Sequence, residues 1–236
     1  MNQTIVPNGG PKLRLVEAAE KLFAEKGFEA VSVRDITKEA GANVAAVNYH
    51  FGSRDGLVVA VMSRYLTPVN QERLAELDKA ERNASGVPVL EEVLDAYVRP
   101  LVAHVGRSEL SEKLYCKLVG RIFGEQGVEV PNDIQNQTRN LIERFTRAMG
   151  KALPNYTQEE LIWRLHFIAG GLIHLLTHTD FLYRVAAPAC GTPTVETTIE
   201  RFIQFAADGL RSGLEAVEGE EEGEPKKKIP QATFNF

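Results

Sequence analysis

The run VAAVNYH, which starts at Val44, combines small side chains with side chains that form hydrogen bonds. Ala45 and Ala46 are too short to hold another surface at a distance, so a helix backbone at this point could approach it closely. Asn48 and Tyr49, with the histidine that follows, offer donors and acceptors that suit phosphate oxygens and base edges. Small apolar groups can also touch thymine methyl groups. The run therefore has the chemistry of a surface that binds duplex DNA.

Two short helices joined by a tight turn are expected to position this run. Ser32, followed three residues later by Asp35, has the spacing of a capping box and predicts a helix over residues 33–40. Gly41 supplies the backbone freedom that a tight turn needs, and Asn43 is a favourable N-cap for the helix that carries the run. In a helix-turn-helix of this kind the second helix can enter the major groove.

The segments on either side are predicted to be helices as well. Residues 12–26 show an amphipathic period, and Gly27 ends that helix. Ser53 caps a fourth, longer helix, and Arg54 in its first turn adds a positive charge for phosphate. The helix starts after Ser32 and Ser53 also present backbone N–H groups, which favour phosphate.

The rest of the chain shows helical periodicity nearly throughout and no alternating pattern typical of strands. We therefore predict an all-α protein of about nine helices. A tail over residues 215–236 is rich in Glu and Gly and is expected to be disordered. The further helices are predicted over residues 88–105, 109–124, 132–149, 158–178 and 195–214.

Composition is ordinary for a soluble globular protein, with 44% hydrophobic and 25% charged residues. No apolar run reaches the roughly 18 residues of a membrane span, and residues 1–10 lack the features of a signal peptide. Cys116 and Cys190 fit neither a disulfide framework nor a metal site, and Cys116 is expected to be a small core residue. We therefore expect a cytoplasmic protein with no membrane partner.

Charge and motifs narrow the class of function. The net charge of −5 arises beyond residue 65, because residues 1–65 contain eight basic and seven acidic residues. The sequence contains no nucleophile elbow, phosphate-binding loop, HExxH zinc motif or CxxC pair. We therefore expect a protein that is not an enzyme and that uses no cofactor or metal.

A resemblance to a known family extends this interpretation. The segments AAEKLFAEKGFEAVSVRDIT, KEAGANVAAVNYHF and GSRDGL closely resemble the N-terminal domain of the TetR family of bacterial regulators, over residues 12–66. The resemblance implies a DNA-binding domain over residues 9–69, with its helix-turn-helix at about 32–51, and a helical effector-binding and dimerisation domain over 70–214. It also implies a homodimeric transcriptional regulator, most often a repressor that a small molecule releases from a palindromic operator.

The family's motif positions and the residue chemistry together indicate one DNA-facing surface. Asn48 departs from the family's pattern, because many members carry an aromatic residue there, and it either reads a base or fills space. The expected DNA-contacting residues are Ser32, Arg34, Asn43, Val44, Ala45, Ala46, Asn48, Tyr49, His50, Ser53 and Arg54.

Aromatic and polar side chains on the predicted body helices are the candidates for an effector pocket. His166 and His174 share one helical face, where they line a pocket, lie at a dimer interface or sit in the core; no carboxylate between them completes a metal site. The apolar body suits an apolar effector of unknown identity, and residues 42–70 also resemble a subgroup of the family that responds to fatty acids or acyl-CoA. The pocket candidates are Tyr97, His104, Tyr115, Phe123, Phe145, Trp163, His166 and Phe167.

The predicted helices over residues 158–178 and 195–213 are the expected dimer interface, as a four-helix arrangement with their symmetry mates. The adjacent glycines at 170 and 171 would permit close approach between subunits or fill a tight contact within the chain. The candidate interface residues are Gly170, Gly171, His174, Phe202 and Phe205.

Two alternatives stay open at the level of sequence. One is a helical protein-interaction module that does not bind DNA, which burial of Tyr49, His50 and Arg54 would favour. The other is a regulator that activates transcription instead of repressing it.

Overall fold

The computed structural model describes residues 10–107, 110–124, 130, 132–191 and 194–215. Within these residues the chain forms nine α-helices and no β-strand, so the predicted all-α fold is confirmed. The helices are α1 (Pro11–Lys26), α2 (Val33–Glu39), α3 (Val44–Phe51), α4 (Arg54–Asn83), α5 (Leu90–Arg107), α6 (Glu112–Gly124), α7 (Asn132–Ala152), α8 (Gln158–Cys190) and α9 (Val195–Glu215).

The first three helices and the first half of α4 pack around one apolar cluster. Leu22 and Phe23 of α1 meet Ile36 of α2 and Val47 of α3 there, and all four are buried. The apolar residues of α1 recur every three or four positions, so they form one stripe that faces this cluster.

A second apolar cluster fills the body. It is built from the second half of α4 together with α5, α7, α8 and α9. Because α4 is one continuous helix, it crosses from the first cluster, which includes Leu66, to the second, which begins at Val69. Pro68 lies between these residues and removes one backbone hydrogen bond from the helix.

Helix α6 joins the two halves in an unexpected way. Its buried residues Tyr115, Leu118, Val119 and Ile122 belong to the first cluster, and the helix packs against α1. Movement of α6 would therefore displace α1, the helix that packs against α2 and α3.

The largest difference from the predicted elements concerns α8. The sequence predicted its end at residue 178, whereas the helix continues to Cys190 and stops at Gly191, where φ is 62°. The apolar period of the sequence is weaker after residue 178, so the sequence did not predict this extension. The predicted disordered tail lies, apart from residue 215, outside the described residues. In the described ranges, no helix is long and apolar enough to cross a membrane.

Candidate nucleic-acid interface

The start of α2 is held by a reciprocal capping box between Ser32 and Asp35. The Asp35 backbone N–H donates to the Ser32 hydroxyl at 3.2 Å, and the Ser32 backbone N–H donates to the Asp35 carboxylate at 3.0 Å. The Ser32 hydroxyl also donates to that carboxylate at 2.5 Å, and these hydrogen bonds lower the pKa of Asp35. The backbone N–H and the hydroxyl of Ser32 are therefore already hydrogen-bonded at the start of α2, which limits their use for a phosphate contact.

A tight turn orients α3 relative to α2. Gly41 adopts the left-handed conformation, with φ at 59°, and the Ala42 backbone N–H donates to the Thr37 carbonyl at 2.9 Å. Asn43 then caps α3, because its Oδ1 accepts from the Ala46 backbone N–H at 2.9 Å. Asn43 remains exposed beside the free face of the helix.

Helix α3 is anchored by one residue and exposed along its other side. Val47 is fully buried, whereas Tyr49 is 85% exposed. His50 is half-buried, and its ring meets that of Tyr49 edge to face at 4.9 Å between centroids. The remaining exposed residues of this face are Val44, Ala45 and Asn48, with Ala46 partly buried beside them.

The start of α4 comes so close to α3 that only glycine fits there. The Ser53 hydroxyl accepts from the Gly56 backbone N–H at 3.0 Å and caps the helix. A Cβ atom added at Gly56 would lie 1.9 Å from the Phe51 carbonyl oxygen, which is backbone and cannot swing away. Gly56 therefore fixes the distance between the recognition helix and the long helix that leads to the body.

Arg54 has a different role from the phosphate contact that the sequence predicted. Its Nε donates to the Val31 carbonyl at 3.1 Å, and an Nη donates to the Phe28 carbonyl. Its guanidinium also lies 5.9 Å from the centroid of the Phe23 ring. With these donors used inside the domain, Arg54 ties α4 to the loop between α1 and α2.

Three exposed cations lie on the helices next to α3, two on α2 and one on α1. Arg34 and Lys38 make no ion pair with any described residue, and both are exposed on α2. Lys12 of α1 is also exposed, and its Nζ lies 6.0 Å from the centroid of the Phe51 ring at the end of α3. Sequence reasoning missed Lys12 and Lys38, because only the tertiary fold reveals which single basic residues flank the recognition helix.

Comparison with known proteins identifies the family. The description "Bacterial regulatory proteins, tetR family" matches residues 15–61, and "Tetracyclin repressor-like, C-terminal domain" matches residues 95–209. The chain belongs to the TetR family. Because this family consists of transcriptional regulators, the prediction of a regulator that is not an enzyme is confirmed.

Two relatives of the chain are described as HTH-type transcriptional regulators. The chain is 41% identical over 54 residues to the probable HTH-type transcriptional regulator YttP of Bacillus subtilis, over 23% of this chain and 26% of YttP. It is 41% identical over 51 residues to the HTH-type transcriptional repressor BdcR of Escherichia coli, over 22% of this chain and 26% of BdcR. The chain thus matches only about a quarter of the length of these relatives.

Solved structures share the whole fold at low identity. A transcriptional regulator from Pseudomonas aeruginosa PAO1 superposes with a TM-score of 0.57 at 19% identity, over 91% of this chain and 97% of that one. A TetR-like regulator from Rhodococcus sp. RHA1 gives a TM-score of 0.56 at 18% identity, over 87% and 98%. At these identities the similarity concerns the fold alone.

In the body of this TetR-family chain, the structure brings only some pocket candidates together. The rings of Tyr97 and Phe145 lie 5.1 Å apart between centroids, and Tyr115 packs against Tyr65 at 5.4 Å; all four are buried. Tyr97 and Tyr115 also both interact electrostatically with Arg73.

The remaining pocket candidates lie elsewhere and do not line this interior. The His104 ring nitrogen is 2.9 Å from a Glu72 carboxylate oxygen at the partly exposed α4–α5 contact. The other candidates are exposed, one on α6 and three on the side of α8 opposite the buried Leu161 and Leu165. The outward-facing candidates are Phe123, Trp163, His166 and Phe167.

Arg73 of α4 is the polar group that sequence reasoning missed. Only 7% of the residue is exposed, its Nε donates to the Tyr97 carbonyl at 2.7 Å, and its guanidinium lies 4.1 Å from the centroid of the Tyr97 ring. Burial lowers the pKa of Arg73, and among the described residues no carboxylate pairs with it. A basic residue on a long helix is ordinarily exposed, so its sequence position gave no signal.

The candidate dimer-interface residues divide into one pair that packs within the chain and three residues that are exposed. A Cβ atom at Gly171 would meet the Phe202 ring at 3.2 Å, so this pair packs within the chain, whereas Gly170 has open space before it. His174 is exposed and its ring stacks on that of His178 at 4.6 Å. Phe205 is 76% exposed.

A separate cleft of about 540 Å³ lies between α4, α5 and α9. Its walls are charged, and Arg99 there already pairs with Asp95 at 2.8 Å and with Glu196 at 2.8 Å. Among the described residues, no group of three or more His, Cys, Asp or Glu side chains could hold a metal ion.

Proposed function

We propose that the protein is a homodimeric repressor that binds a palindromic DNA operator through α3 and leaves it when a small molecule binds the body. The observation that carries the proposal is the geometry of α3. One buried residue, Val47, anchors the helix, while Tyr49 is 85% exposed on its free side. A short helix with this exposure can enter the major groove, where small residues such as Ala45 permit close approach.

The charges around α3 suit the phosphate backbone. Lys12, Arg34 and Lys38 lie on the two helices that flank the recognition helix. Their positive charges can replace condensed counterions and hold the domain in register, while Asn48 and the alanines of α3 face the bases. Tyr49 and His50 complete the phosphate-binding edge in this proposal.

The exposure of α3 argues against a protein-interaction module that does not bind DNA. That alternative required burial of Tyr49, His50 and Arg54, and Tyr49 is one of the most exposed large side chains of the described chain. The partial burial of Arg54 has its own cause, since its donors hold the Phe28 and Val31 carbonyls.

A selection experiment tests the DNA-binding proposal. The full chain is incubated with random duplexes, bound molecules are recovered, and the recovered sequences are read. We expect a palindrome whose half-sites lie about one helical turn, ~10 bp, apart or a multiple of that distance. Failure to enrich any sequence, with the protein folded, would reject sequence-specific binding.

We further propose that α8 and α9 form the dimer interface. Their outer side exposes large apolar groups, with Trp163 at 49%, Phe167 at 67% and Phe205 at 76%. Exposed apolar patches of this kind commonly mark protein interfaces. Gly170, which has open space before it, would allow close approach of the second copy.

The dimer proposal is tested by placing charge on this surface. Phe167→Glu combined with Phe205→Glu should give a monomer in sedimentation velocity at micromolar concentration, because two carboxylates would be buried against their mates. Val87→Glu is the matched control, since Val87 is 61% exposed before α5 and away from the interface. A double variant that remains dimeric would place the interface elsewhere.

Two helices support a coupling between the body and the DNA. Helix α4 runs from the body to the end of α3, and α6 packs directly on α1. A ligand that shifts either helix would change the separation of the two recognition helices. Coupling of 1–3 kcal/mol, which is typical of allosteric proteins, lowers operator affinity by about 5- to 150-fold.

A further inference from the structure

The described chain contains five buried polar or charged residues, and their ion pairs and hydrogen bonds separate them into two groups. Glu20 faces Arg64 at 3.4 Å, Thr37 donates to the Arg34 carbonyl at 3.1 Å, and Thr146 donates to the Ile142 carbonyl at 2.7 Å. The two others, Asn70 and Arg73, lie one helical turn apart on α4, and each is only 7% exposed.

These two residues are incompletely paired among the described residues. The Asn70 amide has no hydrogen-bond partner there, and the Arg73 guanidinium uses only its Nε, on the Tyr97 carbonyl. The terminal nitrogens of Arg73 have no acceptor among the described residues, and they keep some access to solvent, since they are not among the fully buried atoms that lack a partner. Buried charge without a counter-ion costs several kcal/mol in general, so such a group is retained where something compensates it.

The surroundings of Arg73 are aromatic. Tyr97 stacks on the guanidinium at 4.1 Å, and Tyr97 in turn meets Phe145 at 5.1 Å. Tyr115 approaches from α6, where burial raises the pKa of its hydroxyl to about 12 while the Arg73 charge opposes that rise. The phenol stays protonated at neutral pH, so it is a donor and no counter-ion for Arg73.

We infer that Arg73 is the anchor for an anionic effector, a small organic carboxylate with an apolar or aromatic body, held between α4, α5 and α6. The inference rests on the proposed function, because it names the ligand class of the effector domain. A guanidinium fork binds a carboxylate through two parallel hydrogen bonds. The hydroxyl of Tyr115 and the amide of Asn70 supply the further donors that a carboxylate accepts.

The charge balance selects a carboxylate over a phosphate monoester. Arg73 brings one positive charge, and no other Lys, Arg or His of the described chain is buried with it. A carboxylate neutralises that charge, whereas a phosphate monoester with nearly two negative charges would leave buried excess charge. The aromatic side chains around the site match the apolar remainder of such an acid.

The position of the site explains how binding reaches DNA. Arg73 lies on α4 just after the point where the two apolar clusters meet, and Tyr115 belongs to the cluster that contains the helix-turn-helix. A carboxylate inserted between them must move α6 relative to α4. Because α6 packs on α1, that movement reaches the DNA-binding helices.

The experiment compares acids with their neutral amides on the full chain. Phenylacetate, cyclohexanecarboxylate and hexanoate are each added at about 10 mM, against phenylacetamide, cyclohexanecarboxamide and hexanamide, and the unfolding midpoint is recorded. We expect at least one acid to raise the midpoint by several degrees more than its amide, and phenyl phosphate to raise it less. Equal shifts for every acid–amide pair, or a larger shift with phenyl phosphate, would overturn the inference.

Arg73→Met is the decisive variant, because it keeps the length of the side chain and removes the charge. The acid-specific shift should vanish while operator binding without ligand is retained. Arg73→Lys keeps the charge but loses the forked pair of donors, so it should lower the affinity for the acid by about 10-fold. This variant replaces Arg73→Met in the test if the methionine variant does not fold. An acid-specific shift that survives in Arg73→Met, or is unchanged in Arg73→Lys, would overturn the inference.

The outcomes separate this inference from the proposed function. Operator binding without any acid-specific stabilisation would reject the carboxylate and leave the repressor proposal intact. Acid binding through Arg73 without operator binding would support the carboxylate inference and reject the repressor proposal.

Discussion

The helix-turn-helix and the body of this TetR-family chain use their polar groups in opposite ways. In the helix-turn-helix, capping side chains such as Ser32 and Asn43 lie at the surface and satisfy helix ends, and the Glu20–Arg64 ion pair joins the two neighbouring helices α1 and α4. At the start of the body, Arg73 is buried with no carboxylate partner among the described residues.

This difference teaches where each half interacts with other molecules. Helices α1–α3 and the first half of α4 pack around an apolar cluster, so we expect their ligand to meet the surface, through residues such as Tyr49. The body buries the cation Arg73 without a carboxylate partner among the described residues, so its ligand is expected inside. The two helices shared by both halves, α4 and α6, are then the parts that must respond to one ligand and affect the other.

The largest effect is expected from Gly56→Ala, which would break the helix-turn-helix and leave the body folded. Its Cβ would lie 1.9 Å from the Phe51 carbonyl oxygen, so α3 and α4 must separate. We expect a loss of about 3 kcal/mol or more in the free energy of unfolding. Urea unfolding measures it.

Gly106→Ala is the matched control for this prediction. Nothing lies within 4 Å of a Cβ atom at Gly106, and the residue is in a helix. That change should be neutral or stabilising by about 0.5–1 kcal/mol. Equal destabilisation by the two alanines would show that close approach at Gly56 is not what joins α3 to α4.

A second prediction separates the two arginines that sequence reasoning treated alike. Arg54→Met removes the donor from the Val31 and Phe28 carbonyls and should cost about 1–3 kcal/mol of unfolding free energy. Arg34→Met should leave stability within about 0.5 kcal/mol and lower the slope of log affinity for DNA against log salt by about 1 per subunit contact.

Thermal unfolding and anisotropy titrations at several salt concentrations decide between the two roles. The opposite pattern, with Arg34 required for stability and Arg54 for the salt slope, would contradict the assignment of Arg54 to the interior.

The smallest effect concerns the capping box of α2. Hydrogen bonds from Ser32 hold the pKa of Asp35 below its ordinary 3.8, so the folded state binds that proton less readily than the unfolded state. The resulting stability is present above that ordinary pKa and is lost as the pH falls through the lowered one. We expect the unfolding midpoint of the wild type to drop more steeply below about pH 4 than that of Asp35→Asn.

Ser32→Ala gives the control for this pH dependence, because it removes the side-chain hydrogen bond that contributes most. It should reduce the steepness in the same direction as Asp35→Asn, and the double variant should add nothing further. Independent, additive effects of the two changes would show that the capping box does not act as one unit.

Local sequence signals predicted most of the fold. Caps such as Ser32 and Asn43 define helix starts through contacts with residues three positions away, and these were predicted from spacing alone. The predicted end of α8 at residue 178 was wrong, since the helix continues to Cys190 and stops at Gly191.

The sites were harder to predict than the helices, since they depend on contacts between distant segments. Arg54 reaches carbonyls 23 and 26 residues away, and Lys12 meets the end of α3 only in the folded chain. Trp163 and Phe167 are aromatic residues on an amphipathic helix, and sequence alone could not show that they face outward. Arg73 gave no signal because its burial results from the packing of three helices.

The most direct test of the account is the affinity of the selected operator for three forms of the protein, measured by fluorescence anisotropy. Tyr49→Ala should weaken binding by about 10- to 100-fold without changing the unfolding midpoint, because the side chain is 85% exposed and would contact only DNA. Val87→Ala, also exposed but far from α3, should bind as the wild type does. Equal affinity of the wild type and Tyr49→Ala for the operator would contradict the claim that α3 reads DNA.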